Sequence, residues 1–196
     1  MKKFLIALFV MILFVTTASA ESKPVRIARL PIIFQSTIPD VETCAELETK
    51  INRAIHIPLN GTLQLAEYLP PKNSSQILND LWQKLSAENK RAKLVDAMRP
   101  LAEELDADII VCPIINQYSQ IEMGTFSWNE PLLSSHVRVE LIVYDRRTDN
   151  LVDKKAEQMY HDSYSLHGTA SYLSKICFDN AIDKTKLRQL IHDIRN

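Results

Sequence analysis

The sequence predicts an α+β (mixed α/β) fold, with a single sheet of about five strands and helices packed on it. The first observation is a set of short segments, alternating or continuously apolar, that are typical of β-strands. The second is a set of longer segments whose apolar residues recur at helical spacing. The third is a pair of strand-like segments joined by turn-forming residues, which predicts a hairpin. Together they predict the element order β-α-β-α-α-β-β-β-α.

The first predicted strand and helix lie near the start of this pattern. Residues 25–34 alternate at first and then become wholly apolar, which predicts a strand. Pro31 has no N–H to donate, so we expect this strand to lie at a sheet edge or to carry a bulge there. Asp40 is the expected N-cap of a helix beginning near Val41, because its side chain can accept hydrogen bonds from free backbone N–H groups.

A second strand and helix follow. Residues 62–69 alternate over most of their length and predict a short strand, which the Pro70-Pro71 pair ends. Asn73 or Ser74 is the predicted N-cap of the next helix. The apolar face of this helix consists of side chains at helical spacing, namely Ile77, Leu78, Leu81, Trp82 and Leu85.

The third helix leads into the most apolar strand of the chain. Apolar spacing predicts a helix over residues 90–105, and Pro100 should kink or split it because its ring disrupts helical hydrogen bonding. Residues 108–115 are almost continuously apolar, as expected for a strand buried on both faces. Alternating residues extend this strand to residue 122.

The hairpin and a final helix complete the predicted fold. Residues 136–145 and 151–160 predict two strands, and residues 148–150 between them have the chemistry of a turn. Asn150 is the residue expected to tolerate positive φ, as asparagine often does. Residues 165–182 predict the last helix, and residues 185–194 continue or restart it.

Residues 1–20 have the features of a secretory signal peptide. Two lysines precede a short apolar run, and a small-x-small cleavage signal ends at Ala20. The run is shorter than the ~20 apolar residues of a membrane-spanning helix, although an uncleaved N-terminal anchor is an alternative. We expect cleavage after Ala20 and a single mature α/β domain, residues 21–196, in the periplasm or outside the cell. Glu21 stands where bacterial lipoproteins carry a cysteine, so we expect no lipid anchor.

The charge and the cysteines narrow the class of protein. A formal net charge of -1 gives no strong field that would attract nucleic acid, so no nucleic-acid partner is expected. Peripheral membrane contact through exposed apolar side chains stays open. The three cysteines, Cys44, Cys112 and Cys177, are expected to be small buried hydrophobic residues. A Cys44–Cys177 disulfide is the alternative in an exported chain.

Part of the sequence resembles two families of exported bacterial proteins. The pattern consists of Ala107-Asp108 leading into an apolar strand, the strand over 137–144, the turn from Asp145 to Asn150, and the strand over 151–154. Over about residues 90–160 it is similar to CsgG-like curli-assembly proteins and to the N-terminal domain of TolB-like proteins. The resemblance implies a sheet with flanking helices and a place in the cell envelope. Asn150 stands where these families carry a turn glycine, and the resemblance brings neither pore formation nor catalytic residues to this chain.

The connection between two predicted strands is the leading candidate for a binding surface. Residues 123–133 are rich in large apolar side chains, which form partner contacts when they are exposed. The residues predicted to contact a partner are Phe126, Trp128 and Leu132, with Tyr118 and Tyr144 as neighbours. The alternative is that these side chains fold back over the sheet.

A metal site is the second candidate. His161, Asp162 and His167 follow a predicted strand, and two imidazoles with a carboxylate could bind zinc. Their spacing matches no metal motif, and a polar strand-to-helix connection with Ser163 or Ser165 as helix cap is the simpler explanation.

No group of residues predicts catalysis. The aspartates near the turns (Asp106, Asp108, Asp145 and Asp149) are explained as turn and capping residues. With three glycines in the chain, no glycine-rich phosphate loop is expected, and no cofactor is predicted. The sequence therefore predicts a non-enzymatic envelope protein that binds a protein partner or self-associates. The alternative is a periplasmic domain that binds a small ligand or a metal.

Overall fold

One open, mixed sheet of six strands forms the centre of the computed structural model, which describes residues 23–124 and 131–194. The strands are β1 (Val25–Arg29), β2 (Ile33–Phe34), β3 (Ala66–Leu69), β4 (Ile109–Met123), β5 (Leu132–Asp145) and β6 (Asn150–Ser163). Their order across the sheet is β3-β1-β4-β5-β6, and β2 also pairs with β4. The predicted fold class is confirmed. The predicted signal segment, residues 1–20, lies outside the described residues.

The described residues form six helices, and five of them cover the two faces of this sheet. They are α1 (Val41–Ile55), α2 (Asn60–Leu63), α3 (Pro71–Glu88), α4 (Met98–Glu104), α5 (Ala170–Thr185) and α6 (Leu187–Asp193). Helices α1, α5 and α6 bury one face, which we call the α5 face, and α3 and α4 lie on the other, the α3 face. Within the described residues, no helix combines the length and the apolar character needed to cross a membrane.

Strand β4 supplies side chains to both cores, as predicted for a strand buried on two faces. Ile109 and Val111 lie in the cluster under α5, whereas Ile110 and Cys112 lie in the cluster under α3 and α4. All four are fully buried. Alternation along the strand turns successive side chains to opposite faces, so a continuous apolar run fills both layers.

The predicted hairpin is confirmed, with one correction in its turn. Strands β5 and β6 pair in antiparallel register from Leu132 opposite Ser163 to Asp145 opposite Asn150. The residue with positive φ is Asp149, at 51°, whereas Asn150 already belongs to β6. Aspartate tolerates the left-handed region for the same reason as asparagine, since its short polar side chain can bond to the local backbone.

Pro31 interrupts the first strand without placing it at an edge. Strand β1 lies between β3 and β4 and pairs in parallel with both, so the predicted edge position is wrong. The Leu30 N–H still bonds to the Val111 carbonyl, and the chain then leaves regular strand geometry at Pro31. Pairing with β4 resumes as β2 at Ile33. The missing proline N–H is thus accommodated by a break inside the sheet.

Several predicted helix boundaries also change. Asp40 caps α1 as predicted, accepting from the Thr43 N–H at 2.8 Å. Helix α3 begins at Pro71, earlier than an Asn73 or Ser74 cap would allow, because proline suits a first-turn position whose N–H has no helical acceptor. The predicted helix over 90–105 is split, as Pro100 indicated, into a 3₁₀ turn over Leu94–Ala97 and α4.

Two further segments differ at their starts. Strand β3 covers four residues, and the preceding part of the predicted strand over 62–69 contains the end of the short helix α2. The helix predicted over 165–182 is α5, which begins at Ala170 and is capped by Thr169, whose side chain accepts from the Tyr172 N–H. Ser165 instead caps a 3₁₀ turn over Leu166–Gly168.

The three cysteines are free, so the alternative disulfide between Cys44 and Cys177 is not formed. Cys112 and Cys177 are buried as predicted, and Cys44 is half-buried. Burial raises the pKa of the Cys177 thiol to about 12 and also raises the pKa of Cys112. These thiols therefore stay protonated near neutral pH and behave as packing residues.

Acid should weaken the fold through Asp106. Arg146, Lys23 and Arg26 all contact its carboxylate, with Arg146 the largest influence, and they lower its pKa from 3.8 to about 2. The unfolded chain then binds more protons than the folded chain between these values, so the contribution is present above pH 4 and is lost as pH falls toward 2. Asp106→Asn should flatten this part of the pH dependence of the urea midpoint.

Asp183→Asn, which removes an exposed aspartate paired with Arg188, is the control. Identical acid profiles of the wild type and the Asp106 variant would contradict the prediction.

Candidate functional site

The predicted partner residues do not form one cluster in the described structure. Phe126 and Trp128 lie outside the described residues. Leu132 begins β5 and is half-buried, and Tyr118 is half-buried in β4. Tyr144 is 4% exposed and belongs to the core under α3 and α4, so its ring offers almost no surface to a partner.

A register shift in β4 separates Tyr118 from Leu132. The β4–β5 pairing shifts between Ile115 and Gln117, so side chains beyond the shift exchange faces. Tyr118 packs on the α5 core, and burial raises its pKa. Leu132 pairs with Met123 and points to the opposite, α3 face. This shift could not be seen in the residue pattern alone.

Tyr144 has a structural explanation at the other end of the sheet. Its hydroxyl donates to Asp149 Oδ1 at 2.9 Å, across the turn between β5 and β6. Burial is the main cause that raises its pKa, followed by the hydrogen bond to Asp149. The Tyr144 side chain therefore supports the turn, and it lies away from the connection between β4 and β5.

The metal candidates are also not brought together. His161 and Asp162 are neighbours in β6, so their side chains point to opposite faces of the sheet. His167 lies in a 3₁₀ turn, where its ring makes an edge contact with Tyr172 at 4.7 Å. Across residues 23–124 and 131–194, no three His, Cys, Asp or Glu side chains are grouped to hold a metal ion.

Strand β6 has a long open edge. It pairs with β5 over its whole length, and in the described part of the chain no strand pairs with its other side. The Tyr164 N–H continues the ladder by donating to the Pro131 carbonyl, so even-numbered residues direct their backbone groups to β5. The Lys155 carbonyl accepts instead from the Lys184 ammonium at 2.9 Å, so odd-numbered residues direct theirs outward. Such an edge can pair with another chain.

Exposed apolar side chains mark the end of the sheet beyond the helices. On the α3 face, Ile121 is 60% exposed, Met123 is 41% exposed and Met159 is 70% exposed. The register places Met123 beside Leu132, and Met159 beside His136. The alternation of residues 117–123 was a signal for these positions, but their exposure depends on where the covering helices end.

A cavity of about 710 Å³ lies between α3 and the α3 face of the sheet. At its floor, Glu140 is 8% exposed, and its Oε2 accepts from Asn116 Nδ2 and Lys155 Nζ, each at 3.1 Å. Asn116 Nδ2 also donates to Gln35 Oε1 at 3.0 Å. Asp153 lines the same cavity, and its pKa is raised, first by burial and then by the charge of Glu140.

No pattern in the sequence predicted this cavity. Glu140 was visible as an acidic residue between the apolar residues Val139 and Leu141, which is a signal for a satisfied buried charge or a site. Asn116 was visible as the first polar residue after the apolar run. Their convergence with Lys155 depends on the strand register, which the sequence does not specify.

Comparison with known proteins shows likeness in structure only. No family model matches the chain, and no curated protein matches it. One similar structure is the hypothetical protein CT253 from Chlamydia trachomatis, at 15% identity and a TM-score of 0.45, covering 86% of this chain and 98% of that one. The lipoprotein GNA1162 from Neisseria meningitidis has 15% identity and a TM-score of 0.39, covering 82% and 99%.

A third similar structure is the PelC dodecamer from Paraburkholderia phytofirmans. Its identity to this chain is 11% and its TM-score is 0.42, and the match covers 85% of this chain and 89% of that one. None of these three is described as a CsgG-like or TolB-like protein. With identities and TM-scores this low, the likenesses carry no information on function.

Proposed function

We propose that this chain is a non-enzymatic, exported bacterial envelope protein that assembles with a second copy of itself through the open edge of β6. Export is supported by the signal-like character of residues 1–20. The observation that carries the assembly role is the outer side of β6, from Asn150 to Ser163, with which no strand of residues 23–124 or 131–194 pairs. Backbone pairing of two such edges would extend one sheet across two copies.

The sequence of β6 is complementary to itself in antiparallel pairing. When two copies pair about Ala156, Lys155 of one lies opposite Glu157 of the other, and Val152 lies opposite Tyr160. Pairs of opposite charge, and pairs of an aromatic with a β-branched side chain, stabilise neighbouring strands. In this register no two like charges of β6 lie opposite each other. These pairs favour a second copy over an unrelated strand.

The backbone geometry agrees with this register. Lys155 and Glu157 are odd-numbered and direct their N–H and C=O groups outward, so they would exchange hydrogen bonds between copies. Pairing would displace the ammonium of Lys184 from the Lys155 carbonyl, which costs little because Lys184 is exposed. The formal net charge of -1 adds little repulsion between copies.

The connection between β4 and β5 belongs to the same proposal as a further contact. Phe126, Trp128 and Leu132 were predicted from the sequence to contact a partner. Leu132 lies on the face that carries the exposed Ile121 and Met123. Large apolar residues at such positions bind protein partners, and a second copy would supply the same surface.

A proline in the edge tests the proposal. The Met159 N–H points outward and its side chain is 70% exposed, so Met159→Pro should preserve the β5–β6 hairpin while removing one intermolecular donor. In sedimentation velocity of the purified full chain, we expect a dimer for the wild type, a monomer for Met159→Pro and a dimer for the control Met159→Thr. Thermal melting confirms that both variants are folded.

Two outcomes would overturn the assembly role. A wild type that stays monomeric at every concentration would do so, and so would a folded proline variant that dimerises like the wild type. A stoichiometric complex with a different envelope protein, recovered from crosslinked cells in place of the dimer, would transfer the edge to that partner and refute self-assembly.

A further inference from the structure

The cavity between α3 and the sheet has the properties of a small-molecule site. Its volume of about 710 Å³ falls in the usual range for such sites. One wall is apolar and aromatic, formed by Leu78 and Trp82 of α3 together with Ile33 and Ile114 of the sheet. The floor is polar and is built from side chains of three adjacent strands, β4, β5 and β6. Apolar walls with a few convergent polar groups are typical of ligand sites.

The register shift in β4 delivers an unsatisfied acceptor to this floor. Asn116 lies at the shift, where the extra residue changes the direction of a side chain. Its Nδ2 is engaged by Glu140 and Gln35, but its Oδ1 is buried and has no hydrogen-bond partner among the described residues. A buried acceptor without a partner costs free energy, and a ligand donor that displaces the side chains covering it would satisfy it.

The charges of the lining balance. Glu140 pairs with Lys155, and Asp153 and Lys93 supply one further charge of each sign. A net charge would favour an ion of the opposite sign, but this lining has two positive and two negative side chains together with neutral polar groups. Groups that both donate and accept, above all hydroxyl groups, match such a lining.

We propose that this cavity binds a neutral polyhydroxylated ligand, namely a mono- or disaccharide unit. The hydroxyl groups would bond to Glu140, Lys155 and the free Oδ1 of Asn116. The C–H face of a sugar ring would pack on the indole of Trp82. Lys155 belongs to the β6 edge, so the site shares this one residue with the proposed assembly surface, whereas Glu140, Asn116 and Trp82 belong to β5, β4 and α3.

Saturation-transfer difference NMR on the purified full chain tests the site. The probes are D-glucose, D-galactose, N-acetyl-D-glucosamine and their β-linked disaccharides, with spermidine and tryptamine as organic cations. We expect signal transfer to at least one saccharide and none to the cations. Glu140→Gln and Trp82→Leu should each lower the affinity for that saccharide about ten-fold or more, because each removes a main contact.

Matched controls separate the site from general damage. Glu67→Gln removes another ion-paired glutamate of the same sheet, whose partner is Arg26, and it should leave saccharide binding unchanged. Trp82 lies on a helix surface and is half-buried, so we expect Trp82→Leu to stay folded. This variant therefore still tests the site if Glu140→Gln fails to fold. Melting curves and sedimentation velocity of each variant report folding and self-assembly independently of the ligand.

Three results would overturn the proposal. The first is a folded wild type to which no saccharide of the panel binds. The second is saccharide binding that Trp82→Leu leaves unchanged, which would place it elsewhere. The third is binding of the cations alone, which would assign the cavity to amines.

Discussion

Replacing Phe178 with alanine should lower the free energy of unfolding by about 3–5 kcal/mol, as expected for loss of a buried aromatic side chain. Phe178 is 1% exposed and belongs to the largest fully buried side chains of the molecule. It lies in α5, within the core that joins this helix to the sheet. Its removal would leave a cavity between two rigid elements that cannot easily close.

The same helix offers a control for this prediction. Tyr172→Ala removes an aromatic side chain that is 39% exposed, so it should cost about 1 kcal/mol or less. Urea unfolding followed by circular dichroism gives both free energies. Equal losses for the two variants would mean that α5 does not pack on the sheet as described.

Arg147→Met should destabilise the fold by about 3 kcal/mol, the low end for breaking a buried ion pair. Asp145 is 2% exposed, and its carboxylate accepts from Arg147 Nε and Nη2, each at 2.9 Å, and from the Arg147 N–H. Methionine keeps the aliphatic stem and the backbone bond but leaves the buried carboxylate without its counter-charge. The partly exposed guanidinium is the reason for the low end of the range.

A surface pair in the same region supplies the comparison. Arg99 and Asp149 form an ion pair in which both side chains are more than half exposed, so Arg99→Met should cost about 1 kcal/mol or less. Thermal or urea unfolding of the two variants measures the contrast. The prediction for Arg147 fails if its loss is no larger than that of Arg99→Met.

Much of the fold could be predicted because apolar patterning reports burial directly. The continuous run in β4 and the hairpin of β5 and β6 were both found, since period-two alternation and turn chemistry are local properties. The position of β1 was missed because its neighbours are set by long-range pairing. Pro31 indicated an edge by local rules, but the sheet tolerates it through a break. The start of α3 was displaced by about one turn for a local reason, since Pro71 can begin a helix as well as precede one.

The candidate sites were harder to predict because they depend on register. From the sequence, Tyr118 was expected to lie near Leu132 in the fold, but the shift after Ile115 turns the two side chains to opposite faces of the sheet. Glu140 and Asn116 are 24 residues apart and meet only when β4 and β5 pair. The open edge of β6 follows from the order of strands, and no local pattern specifies which strand is last.

The strand order has a consequence for how the chain folds. Strands β4, β5 and β6 follow one another and pair antiparallel, so their contacts close short loops and can form early. Strand β1 joins β4 in parallel, and the Arg26 N–H reaches Asp108 Oδ2 across 82 residues of chain. Closing this long loop costs conformational entropy before the stabilising contacts between β1 and β4 have formed, which slows folding. We therefore expect docking of β1 and β3 to be the slow step of folding, and until it occurs β4 exposes a second unpaired edge.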